Sequence, residues 1–173
     1  MSEHTVKSFD EQLENLSTLV SRMGGLAEAQ FAAAIEAIAR RDSEAGERAV
    51  GGDARIDEAQ QQVEERALKL LALRQPMAVD LRETLAAIKI AAELERIGDL
   101  AKNIAKRALV LNREPPIRLT QSLARMGRQA QGQLKQVLDS YSSRDAGEAE
   151  EVWSRDGEID ETYNSLFREL LTY

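Results

Sequence analysis

Asp53-Ala-Arg-Ile-Asp57 returns 103 residues later as Asp156-Gly-Glu-Ile-Asp160, and a third acid pair, Glu95 and Asp99, also stands four residues apart. On a helix, side chains at i and i+4 lie one turn apart on the same face, so each pair presents two carboxylates side by side. Like charges so placed repel by about 0.2–0.5 kcal/mol. A costly arrangement that is present three times, twice in one register, points to a cation held by the acids. Asn103 extends the row Glu95-x-x-x-Asp99-x-x-x-Asn103 to three oxygen-bearing side chains on successive turns. Oxygen donors favour a hard cation such as Mg, Ca, Mn or ferric iron.

The competing reading is a solvated helix face. The chain is 31% charged, and Asp10 with Glu14 is an acid pair that has no repeat partner. Arg55, Arg96 and Lys102 also offer salt-bridge partners to the acids. From spacing alone the two readings weigh equally; the duplication favours metal, because a decorative surface diverges freely. Helical periodicity further puts Leu81, Leu85 and Ile88 on nearly the same line as Glu95, Asp99 and Asn103, an apolar row that turns acidic halfway. An unpaired carboxylate in an apolar interface is costly, so these acids are expected at a wet edge or beside a cation.

Other chemistries find little support. There is no cysteine and one histidine, His4, in a stretch expected to fray, so thiolate chemistry and Cys/His zinc sites are excluded and no Ser/His/Asp set is expected. Thirty acids outnumber 23 bases, giving a formal charge of −7 with no basic block to follow a phosphate backbone. No apolar run approaches the roughly 20 residues that span a bilayer, and the start of the chain has no signal-like core. The sequence reads as a soluble, cytoplasmic, non-enzymatic protein. The alternatives are a carboxylate-bridged metalloenzyme and a purely structural helical bundle.

The elements that must position the acids are long helices. Aromatics make up 4% and prolines number three, in a chain rich in strong helix formers. Breaks are expected at Arg41-Asp42-Ser43, at Gln75-Pro76, at Pro115-Pro116 and at Arg144-Asp145. Helices are therefore predicted at about 8–40, 43–73, 77–112, 117–142 and 145–173. The first three, each on the order of 45 Å long, are antiparallel neighbours. The fold class is all-α, with tandem three-helix bundles of which the second is incomplete.

The repeat reaches beyond the acids. At the same offset Arg22-Met23-Gly24 matches Arg125-Met126-Gly127, Gln30 matches Gln133, and Arg41-Asp42 matches Arg144-Asp145. This is a duplicated helix-turn-helix unit, which divides the chain into residues 1–113 and 114–173. The third helix of the first unit has no counterpart. The second unit is thus expected to leave an apolar stripe open around Trp153, Leu166 and Leu170, covered by self-association.

Gln75-Pro76-Met77-Ala78-Val79-Asp80-Leu81-Arg82, followed by Leu94-Glu95-Arg96-Ile97-Gly98-Asp99-Leu100-Ala101-Lys102-Asn103-Ile104-Ala105, closely resembles the PhoU family, the accessory regulators of phosphate-specific transport. Asp53-x-x-x-Asp57 and Asp156-x-x-x-Asp160 match the Glu/Asp-x-x-x-Asp element of that family. The resemblance implies two pseudo-symmetric three-helix bundles, each able to hold a multinuclear metal cluster, iron in some members, with Mg or Mn as alternatives. Carried over by position, Asp53, Asp57, Glu95, Asp99 and Asn103 form one site, and Asp156 with Asp160 begin a second. The implied role is negative regulation of phosphate uptake and phosphate-responsive signalling. The implied partners are the ATPase subunit of the phosphate ABC transporter, the cytoplasmic region of a sensor histidine kinase and a second copy in a homodimer.

Overall fold

A computed structural model describes residues 2–74 and 78–172. Among them the chain forms six helices: α1 (Ser2–Ala39), α2 (Ser43–Arg74), α3 (Ala78–Leu111), α4 (Thr120–Ser143), α5 (Ala146–Ser154) and α6 (Asp156–Leu171). The all-α expectation holds. α1 starts ahead of its predicted boundary, so the backbone around His4 is helical rather than frayed. The predicted break at Pro76 falls outside the described residues. α4 starts later than predicted, because Ile117-Arg118-Leu119 form a turn in which the Thr120 hydroxyl donates to the Ile117 carbonyl at 2.7 Å.

The predicted last helix is broken at Arg155, whose φ of −93° and ψ of 5° separate α5 from α6. Side chains compete with the helix there. The Ser154 hydroxyl donates to the Glu151 carbonyl at 2.7 Å, the Arg155 guanidinium reaches Glu158 and Gln136, and Gln133 donates from Nε2 to the Arg155 carbonyl at 3.0 Å. In the first unit the matching stretch, Gly51-Gly52, runs through α2 unbroken, and Gln30 donates instead to the Ala49 carbonyl at 2.8 Å.

α1, α2 and α3 pack on one another, α4 packs on α1, and α5 and α6 pack on α4. Leu16, Val20, Met23 and Ala27 recur at helical spacing on α1 and meet Ile56, Val63, Ala67 and Leu70 of α2 and Ala87, Ala91 and Leu94 of α3. Toward the other end the core thins to alanine, with Ala34, Ala49, Ala101 and Ala105, then Ala37, Ala45 and Ala108. Small side chains let helices approach closely, at the short end of the usual 8–10 Å between axes. Phe31, Val50 and Ile104 flank these alanines from the partly buried rim.

The duplicated turn is duplicated in conformation. Arg41 and Arg144 are the two described non-glycine residues with positive φ, at 56° and 57°. Each is followed by an aspartate that caps the next helix, Asp42 accepting from the Ala45 amide and Asp145 from the Glu148 amide, both at 3.0 Å. The arginines themselves diverge: Arg41 donates to the Asn112 and Glu114 carbonyls beyond α3, while Arg144 pairs with Glu83 at 3.0 Å. Asp42→Ala is expected to lower the unfolding free energy by about 1 kcal/mol, the typical value of an N-cap. A urea midpoint unchanged in that variant would show that the cap contributes nothing here.

α1 and α4 meet reciprocally. Gly24 of α1 lies against the Leu138 side chain of α4, and Gly127 of α4 lies against Ile35 of α1. Both pairs of partners obey the 103-residue offset.

On the second unit Trp153 is 78% exposed and Leu170 53%, with Tyr163 and Phe167 stacked at 6.3 Å between centroids and also open. Leu166, expected in the open stripe, is instead buried at 9%. No described helix is long and apolar enough to cross a membrane.

Candidate functional site

Small buried residues on α2 and α3 place the acids. Gly98 of α3 lies close against Ile56 of α2, beside the buried Ala49, Ala101 and Ala105, and residues on the adjoining rims of the two helices come within reach of each other. Asp53 is tucked in, its side chain 15% exposed, while its helical neighbour Asp57 points to solvent. Asp99 stands across on α3, half exposed. One ammonium joins the two helices: Lys102 Nζ pairs with Asp53 Oδ2 and, at 2.9 Å, with Asp99 Oδ1. Of the three cations that the sequence offered as partners, Lys102 takes this place.

Glu95, one turn before Asp99, has its carboxyl pushed above the usual carboxylate range. Burial is the largest cause, followed by the negative charges of Asp99, Asp57 and Asp53, with Lys102 pulling the other way. Glu95 thus feels the other three acids, and Lys102 offsets only part of their effect on it. Lys102 is held in its charged form by the hydrogen bonds to Asp53 and Asp99, and its pKa is raised accordingly. As an ion pair this partly exposed bridge is worth at most about 1 kcal/mol.

The apolar row predicted to lead into the acids reaches the core only at Ile88, which packs half-buried against it. Leu81 and Leu85 are 38% and 43% exposed. The buried face of α3 runs through Thr84, Ala87, Ala91, Leu94, Ala101, Ala105 and Ala108, so the acids sit at the bundle's wet edge. Asn103 is exposed, beyond Asp99 on the same helix. Asp156 and Asp160 are exposed on α6. Asp156 opens that helix, where a negative charge is favoured by the helix dipole. Among the described residues, no three His, Cys, Asp or Glu side chains stand close enough as placed to hold one metal ion.

One neighbour of the acids, Gln30, is not among the residues that spacing or resemblance assigns to the site. Gln30, 5% exposed, spans from α1 to the Ala49 carbonyl of α2, and its Oε1 is buried with no hydrogen-bond partner. That oxygen lies against Gly98, the residue before Asp99, while Gln30 Cγ lies near Gly52, the residue before Asp53. The match of Gln30 with Gln133 was the available signal. Away from the acids, a cleft of about 560 Å³ between α3, α4 and α5 is lined by the apolar side chains of Leu94, Ile97, Leu134, Val137 and Tyr141, with Glu83, Glu93, Lys89, Arg144 and Asp145 also on its wall.

A family profile described as "PhoU domain" matches residues 20–108 and 123–173. The phosphate-specific transport system accessory protein PhoU homolog of Caulobacter vibrioides is 56% identical over 174 residues, covering all of this chain and 76% of the relative. The homolog from Rhizobium meliloti is 45% identical, covering 98% of this chain and 72% of its own length. The crystal structure of PhoU from Pseudomonas aeruginosa superposes with a TM-score of 0.92 at 34% identity, over 95% of this chain and 79% of that one. The phosphate transport system regulatory protein PhoU from Streptococcus pneumoniae gives 0.86 at 28% identity. With the profile matching both halves of the repeat and the helices superposing throughout, the chain belongs to the PhoU family.

Proposed function

We propose that this protein is a non-enzymatic accessory regulator of phosphate transport that damps phosphate uptake and phosphate-responsive signalling. It acts as a cytoplasmic helical adaptor between the ATPase subunit of the phosphate ABC transporter and the cytoplasmic region of a sensor histidine kinase. The name and function of its relatives support the transport role. A pull-down with the two partners tests the adaptor, and binding to neither removes it.

Within that role, Asp53, Asp57, Glu95 and Asp99 are the residues to hold a metal, with Asn103 as an outer donor, and Asp156 and Asp160 as the start of a second site. The observation that carries this reading is the gathering of acids on the adjoining rims of α2 and α3, where Asp53 and Asp99 share one lysine and where burial first, and the neighbouring carboxylates second, raise the Glu95 carboxyl. Four hard oxygen donors on two helices suit iron, Mn or Mg. Bound metal would tie α2 to α3, a structural or switching role, and the exposed apolar side chains of α5 and α6 suit a homodimer.

Glu95→Gln separates the metal reading from an acidic surface. Without metal the variant is expected to melt at or slightly above the parent's temperature, because one repelling charge is gone. With Mn or iron the parent should rise, since a ligand that binds only the folded state stabilises it, and the variant should rise far less. Equal melting of the parent with and without metal, together with a metal content near zero, overturns the reading.

A further inference from the structure

Independently of the metal reading, we propose that the end of the bundle where α3 passes into α4 docks on an anionic membrane surface, with its bases on the lipid headgroups and its apolar loop in the layer beneath. Between Asp99 and Asp139 the chain carries eight bases and a single acid, Glu114, whereas elsewhere acids outnumber bases about two to one. Lys102 and Lys135 are engaged by aspartates of the protein itself. Lys106, Arg107, Arg113, Arg118, Arg125 and Arg128 are exposed and pair with no acid among the described residues. Scattered along the sequence, these six gather in the fold. Lys106 and Arg107 stand in the last turns of α3, Arg113 and Arg118 in the connection, and Arg125 and Arg128 in the first turns of α4, each within roughly 12 Å of that connection along a helix axis. The α1–α2 turn beside them is near neutral, with Arg40 and Arg41 against Asp42 and Glu44.

The loop between these bases presents apolar side chains. The Arg41 guanidinium donates to the Asn112 carbonyl at 2.8 Å and to the Glu114 carbonyl, and the Thr120 hydroxyl closes the turn at Ile117. Held in this way, Pro115, Pro116 and Ile117 stand exposed between Arg113 and Arg118, and Val110 at the end of α3 is 63% open. Bases flanking a short apolar projection suit interfacial anchoring, in which cations stay among the headgroups while apolar side chains reach the acyl boundary. No aromatic side chain falls between Asp99 and Asp139, so this end offers a single-stranded nucleic acid no stacking surface. The acidic remainder of the molecule is repelled by the same membrane, which leaves this end as the one that can approach. Docked so, the adaptor stands on the bilayer that holds the proposed transporter and kinase.

The test sediments the full chain with vesicles of phosphatidylglycerol and phosphatidylcholine in equal parts, and with vesicles of phosphatidylcholine alone. The parent is expected to bind the mixed vesicles, to bind the neutral ones far less, and to be released by high salt as the charges are screened. At about fivefold per base, Arg113→Gln/Arg118→Gln should weaken binding at least tenfold, and Ile117→Ser should weaken it with no change in charge. Arg66→Gln/Lys69→Gln removes two exposed bases near the far end of α2 and should bind like the parent. Circular dichroism should show the fold intact in all three, since every substituted side chain is exposed. Failure of the parent to bind the mixed vesicles overturns the proposal, leaves an acidic protein surface as the alternative and does not touch the transport role. Parent-like binding by either loop variant, or equal weakening by both double variants, overturns it as well.

Discussion

Gly127→Val is expected to lower the unfolding free energy by about 3 kcal/mol, the upper part of the range for an overpacked core. At roughly 2–4 °C per kcal/mol for a chain of this size, the melting temperature should fall by about 6–12 °C. A Cβ at this position already collides with Ile35 Cδ1 and meets Ile35 Cγ1 at 2.9 Å. Ile35 is 6% exposed, so its side chain is packed on nearly all sides. The helix-propensity gain on leaving glycine, well under 1 kcal/mol for valine, does not offset this. Ile35→Ala alone should also destabilise, by opening a cavity. The Gly127→Val/Ile35→Ala double variant should lose less than the sum of the two, because the new methyls enter the space that Ile35 vacates. Additive losses in a double-mutant cycle would mean that the two residues do not press on each other.

Gly98→Val should cost a similar amount, about 3 kcal/mol, and should disable the acid site as well. A Cβ on Gly98 comes to 2.9 Å from Ile56 Cδ1 and 3.0 Å from Gln30 Oε1. Ile56 is 1% exposed, and Gln30 is anchored by its bond to the Ala49 carbonyl. The remaining freedom is for α2 and α3 to part, which pulls Asp53 away from Asp99 and the Lys102 bridge. Circular dichroism should still report a helical protein at low temperature, while the Mn(II) binding proposed above drops at least tenfold. Parent-like melting and parent-like metal affinity in this variant would show that the close approach at Gly98 does not control the spacing of the acids.

The sequence pattern revealed the long helices because capping aspartates and prolines mark their ends locally. Asp42 and Asp145 cap where expected. The break at Arg155 was not legible, since it depends on Gln133 of another helix taking the freed carbonyl, and no local propensity encodes that. The buried face of α3 was misplaced for a different reason. It is built largely from alanine, whose weak hydrophobic signal was outweighed by Leu81 and Leu85 on a neighbouring line. The acids of α2 and α3 were found from spacing and resemblance. Which of Arg55, Arg96 and Lys102 would join them required the distance between two helices, and that distance is set by small residues such as Ala49, Ala101 and Gly98.

The meeting of α1 and α4 bears on how such a chain arose. When position 24 receives 138 and position 127 receives 35, the contact has the form of a two-fold symmetric dimer interface, in which i touches j and j touches i. Each copy of the helix-turn-helix unit therefore carries both the socket, a glycine, and the peg, a branched aliphatic residue. A single ancestral unit with those two residues would have been self-complementary before any duplication joined it to its partner. Fusion into one chain then converts a pairing that depends on concentration into one that does not.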